Sequence, residues 1–440
     1  MIKFCTAAIQ EQKGVQVADF RYYHRLADEE LEQRLSRSGA VVIRGAKWCG
    51  KTETALQHSS SVLYLQDPDE YENNMLTAQT KPSLLLRGDQ PRLIDEWQDA
   101  PQIWDAVRFA IDKEHGFGHY ILTGSVSKEL ELSERPRHSG TGRISPMTMR
   151  PMSLWESLDS NGSVSLRALF DNPQDAGGTC SCDVERIAYL VCRGGWPEVV
   201  AGGLDGIATS RDYVKSIAYE DISRVDGVQR NPECALLLMA AYARCLSTQA
   251  DLATIRKNIK ARQGELSRNT VSAYVASLRK LYVFEDLPAW KPSLRDKTRV
   301  TATPKRHFVD PSLAAAALGA TPDMLLRDMP TLGMLFESLC VRDLRIYAES
   351  LGGSLYHYHD DAGREADAVI AMPDGRWALV EMKMGHAGVE EGAEGLLGLA
   401  EKIDVTVMGE PSFLAVMAPT AYSHQRDDGV LVVSPACLKA

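Results

Sequence analysis

The sequence predicts an α/β multidomain fold in four parts: a parallel α/β sheet over residues 1–165, a helical lid over 166–245, a basic winged-helix-like segment over 246–310, and a mixed α/β domain over 311–440. Three observations predict it. A complete G-x-x-x-x-G-K-T stretch stands between a strand-like and a helix-like run. Positive charge concentrates on a helix–turn–helix pattern. Acids and a lysine fall on strand-like runs near the C-terminus.

A chain of 440 residues has room for two to four domains. With 44% hydrophobic and 25% charged residues, it is neither disordered nor fibrous. The 49 Lys and Arg against 59 Asp and Glu give a net charge of −10, which excludes a generally basic nucleic-acid coat. The longest apolar run, Cys234–Ala243, falls far short of the roughly 20 residues that span a bilayer, and the N-terminal residues lack a signal-peptide core. Nine scattered cysteines suit a reducing compartment. The expectation is a cytoplasmic protein with no membrane partner.

The run Val41–Arg44 reads as a strand, and Glu53–Gln57 as the body of a helix. Between them lie Gly45, Ala46, Lys47, Trp48, Cys49, Gly50, Lys51 and Thr52. Glycines at both ends let backbone N–H groups wrap phosphate oxygens, with Glu53 opening the helix behind them. Lys51 would reach the β- and γ-phosphates of ATP, and the Thr52 hydroxyl would ligate Mg²⁺. The alternative is a chance glycine-rich turn.

Such a loop needs an acidic group on a neighbouring strand. Arg92–Glu96 supplies Asp95 for the Mg²⁺ shell and Glu96 to polarise the attacking water, 44 residues after Lys51. Next, His119–Ser125 is an apolar strand that ends in small hydroxyl residues. Ser125 fits a γ-phosphate sensor there, and a plain strand and turn is the alternative. Residues 166–245 read as mostly helical, broken by the turn at Arg193–Glu198. Cys180, Cys182 and Cys192 suggest zinc, but no partner pair completes a tetrahedral site, so free thiols are expected.

Residues 251–310 hold 13 Lys and Arg against 6 acids, a net +7 that leaves −17 for the rest of the chain. A helix over Asp251–Lys260, a turn at Gln263–Glu265 and a second helix capped by Ser267 follow the helix-turn-helix order. Val271, Tyr274, Val275 and Leu278 mark the buried face of the second helix. Arg268, Asn269 and Ser272 are then left for a DNA groove, and Tyr282–Glu285 would be the wing strand. A winged helix serves equally as a protein–protein module.

From Thr331 the pattern runs helix, three strands, helix, strand, the layout of a PD-(D/E)xK nuclease core. Asp367 falls on the second strand, and Glu381 and Lys383 on the third, 14 residues later. Strand alternation puts Glu381 and Lys383 on one face. Two carboxylates crowded there call for a divalent cation. Lys383 would orient water or offset phosphate charge, and Glu337 on the preceding helix adds an acid. His357 and His359 share a strand face nearby, either as metal neighbours or as ordinary surface residues.

The motifs GAKWCGKT, LIDEWQDAP, ILTGS, GRISPMTMRPMSLWES and GGWPEVV, in that order, resemble a family of prokaryotic AAA-type ATPases fused to a restriction-endonuclease-like C-terminal domain. FESLC, READAVI and LVEMKMG are similar to that domain's pattern, with its acid and lysine positions present. The resemblance implies that Asp95, Glu96 and Gln98 form the Walker B region. It makes Arg143 a candidate for sensing the γ-phosphate, with an ordinary loop cation as the alternative, and it leaves a homo-oligomer open. The function expected is Mg²⁺-dependent ATP hydrolysis coupled to binding of nucleic acid, DNA above all, and to its cleavage by Asp367, Glu381 and Lys383 with Glu337. The rival is a nucleotide-dependent switch whose C-terminal domain only docks partners.

Overall fold

The computed structural model describes residues 22–124, 139–263, 266–291, 303–360, 362–403 and 408–440, with only the backbone of 260–263. The first part holds α1 (Leu26–Leu35), β1 (Ala40–Arg44), α2 (Lys51–Gln57), β2 (Ser61–Tyr64), α3 (Tyr71–Thr80), β3 (Arg92–Asp95), α4 (Gln102–Glu114), β4 (Tyr120–Gly124) and β5 (Ile144–Thr148). These strands form one sheet in the order β2-β3-β4-β1-β5, every neighbouring pair parallel. Central strands buried on both faces read as continuous apolar runs, and Ala40–Ile43 is fully buried. Because the sheet is parallel, the C-terminal ends of β1, β3 and β4 gather at one edge.

The middle of the chain holds β6 (Val164–Ser165), α5 (Leu166–Asp171), β7 (Gly178–Thr179), α6 (Val184–Arg193), α7 (Pro197–Gly202), α8 (Gly206–Ser216), α9 (Ile222–Arg224) and α10 (Pro232–Ala243). A π-turn, Ile217–Asp221, joins α8 to α9. Next come α11 (Leu252–Gln263) and α12 (Arg268–Lys280). Ser267 caps α12 by accepting from the Thr270 N–H, and Val271, Tyr274, Val275 and Leu278 are buried. Arg268, Asn269 and Ser272 are exposed.

The expected wing strand takes another form. Tyr282 turns through a left-handed conformation, and the chain then pairs at separate points, Phe284 with Phe308 and Leu287 with Lys305. Pro288, with no N–H to donate, interrupts any longer ladder. Its carbonyl accepts from the His357 N–H, and the Trp290 N–H donates to the His357 carbonyl, fastening this segment to the C-terminal domain.

The last part holds α13 (Pro311–Leu318), α14 (Pro322–Leu325), α15 (Met329–Ser350), β8 (Ser354–His359), β9 (Glu365–Ala371), β10 (Trp377–Met382), α16 (Gly385–Ala400), β11 (Leu414–Met417), β12 (Tyr422–Gln425), β13 (Leu431–Val433) and β14 (Leu438–Lys439). From α15 to β11 the order is helix, three strands, helix, strand. The sheet is mixed, ordered β7-β12-β13-β11-β10-β9-β8. Two pairings reach back along the chain: β7 joins this sheet beside β12, and β14 forms a separate two-stranded sheet with β6. One apolar core continues from Leu154 through α6–α13 to Cys437, so the helical, basic and C-terminal parts pack as neighbours on shared apolar surface. Among the described residues no helix is long and apolar enough to cross a membrane.

Candidate nucleotide site and carboxylate pocket

The loop after β1 turns on Gly45 (φ +154°) and Gly50 (φ +97°). A side chain at Gly45 would meet the Met149 carbonyl at 2.0 Å, so only glycine fits. Lys51 is buried, and its Nζ donates to the carbonyls of Gly45 (3.1 Å) and Ala46 (2.8 Å), which holds the ammonium across the loop. At the edge of β3, Asp95 Oδ1 accepts from Thr52 Oγ1 (2.7 Å) and from Thr123 Oγ1 of β4 (2.6 Å). The start of α2 and the adjacent strand β4 thus bring two hydroxyls onto one carboxylate of β3 beside the loop. Glu96 follows in a left-handed conformation, its N–H donating to Thr123 Oγ1 (3.3 Å) and its carboxylate accepting from the Gln98 amide. Burial first, then the charges of Asp95 and Glu198, raise the Glu53 carboxyl above its usual range.

The helical part covers this loop. Lys47 Nζ pairs with Asp221 Oδ1 at 2.5 Å, and Tyr213 donates to the Lys47 carbonyl at 3.2 Å. The exposed Trp48 ring lies 5.8 Å from Tyr213, which packs 4.8 Å from buried Trp196. Arg25, which the sequence did not single out, braces the other side. It donates to the Cys49 and Arg150 carbonyls (both 2.9 Å) and pairs with Glu156 at 3.0 Å.

One expectation changes here. Arg143 precedes β5 at the end of the sheet where Ala40 begins β1, whereas the loop leaves β1 at Arg44. Five strand residues, about 13 Å, separate the two ends. Arg143 pairs there with Asp112 of α4 at 2.8 Å, away from the loop that follows β1. Ser125 lies outside the described residues; on β4, Thr123 brings a hydroxyl to Asp95.

In the C-terminal part a pocket of about 700 Å³ opens between α15 and the sheet. Asp367 and Glu381 are buried and hydrogen-bonded to each other, and Asp367 Oδ2 also accepts from the Met382 N–H at 2.9 Å. Lys383, just past the end of β10, stands 3.4 Å from Glu381, and both approach Gly392. Glu337 faces the same pocket from α15. The residue that sequence reasoning missed is Lys305. Its Nζ lies 2.6 Å from Asp367 and 3.0 Å from Glu337, with 4% of the side chain exposed.

Burial, then the Asp367 charge, push Glu337 up to about 8. The same two causes raise Glu381. Burial would raise Asp367 as well, but Lys305 and the Glu381 hydrogen bond outweigh it and hold Asp367 low. Among the described residues no group of three or more His, Cys, Asp or Glu is arranged to hold a metal ion, the expected Glu337, Asp367 and Glu381 included. The physical reason is the ammonium of Lys305, which stands between Glu337 and Asp367. His357 is buried, lowered to about 4 by desolvation and then by Lys305, with its ring near the Thr303 carbonyl; His359 lines the pocket. The eight described cysteines are free thiols.

Among family models, an AAA domain matches residues 37–158, a domain of unknown function (DUF8612) residues 184–324, and another (DUF4143) residues 332–438. No curated protein matches. Among solved structures, a Walker-type ATPase of Pyrococcus abyssi is 13% identical over 68% of this chain and 99% of its own, with a TM-score of 0.38. A DNA replication initiation factor is 14% identical over 57% and 86%, with a TM-score of 0.27. The Orc1 protein of Aeropyrum pernix in complex with DNA is 12% identical over 71% and 96%, with a TM-score of 0.24. With the loop geometry and the all-parallel sheet, the domain match makes residues 37–158 an AAA-type P-loop nucleotide-binding domain, followed by a mixed α/β C-terminal region.

Proposed function

We propose that the chain is a cytoplasmic Mg²⁺-dependent ATPase whose nucleotide cycle acts on nucleic acid through its basic helix pair and carboxylate pocket. The observation that carries the reading is the convergence of Thr52 and Thr123 on Asp95 beside Lys51. The donor set fits Mg²⁺, with the Thr52 hydroxyl and the Asp95 carboxylate as the residues that would hold it. When bound there, the ion offsets charge on the β- and γ-phosphates. Lys51 reaches those phosphates by exchanging its two loop carbonyls for them. Glu96 accepts the proton of the attacking water, and Gln98 fixes its carboxylate.

A contiguous chain of contacts supports coupling to the C-terminal part. Trp196 donates to Ser312 (3.0 Å), Gly195 to Asp310 (3.0 Å), and Asp310 pairs with Arg342 (2.8 Å) of α15, the helix that carries Glu337. Arg268, Asn269 and Ser272 are available to phosphates and bases. The test is equilibrium titration with a fluorescent ATP analogue and Mg²⁺. Wild type binds and Lys51→Ala weakens binding by about tenfold or more; equal affinity would remove the reading.

A second reading, a nucleotide-dependent switch with a docking domain, is favoured by one observation: Lys305 between Glu337 and Asp367. With that ammonium in place the pocket does not fit a divalent ion, so cleavage by Asp367, Glu381 and Lys383 belongs to another state of the pocket. Incubating linear and circular DNA with Mg²⁺ or Mn²⁺ and ATP separates the two readings. Products that vanish in Glu381→Ala support cleavage, and their absence supports docking.

A further inference from the structure

Lys305 lies outside the mixed sheet and 62 residues before Asp367, yet its ammonium is delivered into the carboxylate pocket. A backbone pair holds it there: the Leu287 N–H donates to the Lys305 carbonyl (2.9 Å), and the Lys305 N–H to the Leu287 carbonyl (3.0 Å). The next residue, Arg306, is anchored to Asp286 (2.7 Å) and to the Ala250 carbonyl (2.8 Å). The lysine is thus fixed from its backbone outward. A lysine this buried forfeits its hydration, and close pairing with acids is what keeps it charged.

The geometry also excludes a second cation at the same oxygens. A divalent ion bonded to Asp367 Oδ1 and Glu337 Oε1 would sit about 2.0–2.5 Å from each. The Lys305 nitrogen already stands 2.6 and 3.0 Å from those two atoms, so the two positions overlap. Lys383 does not substitute for it, because it is directed at Glu381 and is partly exposed.

We infer that Lys305 is the resident cation of this pocket: its ammonium takes the place of a divalent ion between Glu337 and Asp367, and the pocket accepts such an ion only once Lys305 is removed or withdrawn. The inference rests on the reading of these carboxylates as a cation site. It gives the pocket a built-in competitor, carried by the segment that joins α12 to the C-terminal domain.

The experiment is Mn²⁺ binding to the full chain without nucleotide, followed by electron paramagnetic resonance, with thermal melting alongside. The chains compared are wild type, Lys305→Met, Lys305→Gln, Asp367→Asn, and Lys305→Met combined with Asp367→Asn. The expected result is a Mn²⁺ ion bound about 100-fold or more tightly by Lys305→Met than by wild type, the scale of a unit charge acting within a few ångströms in protein. That ion is lost in the double variant, and Mn²⁺ restores the melting temperature that Lys305→Met or Lys305→Gln has lowered. Equal binding by wild type and Lys305→Met, removed from both by Asp367→Asn, overturns the inference and leaves the cation-site reading standing. Binding by neither, with no recovery of melting temperature in either lysine variant, overturns both.

Discussion

Lys47 of the phosphate-binding loop and Asp221 of the helical part form an ion pair of 2.5 Å across 174 residues. Asp221 is buried, and it is the acid that draws Lys47 toward the helices. A phosphate arriving at the loop competes with it for the same ammonium. Asp221→Asn is predicted to tighten ATP binding about three- to tenfold, as expected for removing one negative charge several ångströms from the phosphates. Titration with a fluorescent analogue checks it, and weaker binding would show that the pair organises the loop.

Arg143 stands at the far end of the sheet and pairs with Asp112. Arg143→Ala should therefore leave the ATP dissociation constant within about twofold of wild type. A tenfold loss in dilute protein, where chains do not meet, would place that guanidinium at the phosphates after all.

Glu285 binds Arg150 at 2.6 Å and Arg345 at 3.1 Å, tying the basic segment both to the loop after β5 and to α15. Burial works to raise its carboxyl, but the two guanidiniums outweigh it and hold it at about 2, below its ordinary 4.5. A depressed acid stabilises the fold above its unfolded pKa, and that contribution fades as pH falls toward the folded one. Glu285→Gln is predicted to cost about 2–4 kcal/mol at pH 7, with the difference shrinking between about pH 4.5 and pH 2. Denaturant unfolding across that range measures it; a difference that is constant with pH would contradict the assignment.

The loop from Gly45 to Thr52, Asp95, Glu96 and the buried face of α12 were legible in the sequence because each is set by local spacing. So was the order from α15 to β11, where apolar alternation is strong. Lys305 was not legible. Within a segment of net +7 a lysine reads as a surface cation, and nothing local records that its partners lie on α15 and β9. Arg25 and Asp221 escaped for the same reason, since their partners are more than 20 residues away. The short strands β6, β7, β12 and β14 carry too little apolar pattern to show, and pairing across the chain is what creates them.

The same distinction bears on nucleic acid. Arg279 and Arg306 are both paired with Asp286, and Arg306 is buried, whereas Arg268 is exposed. Arg268→Ala is predicted to weaken DNA binding and to reduce the slope of log affinity against log salt by about one. Arg306→Ala should lower the melting temperature and leave that slope unchanged. Equal slopes for wild type and Arg268→Ala would take α12 off the DNA.

The central claim, that this P-loop turns over ATP with Glu96 as the group that receives the water proton, is tested most directly by phosphate release from wild type and Glu96→Gln. Glu96→Gln should still bind the ATP analogue, while its turnover falls about 100-fold or more. Turnover by Glu96→Gln at the wild-type rate would contradict it.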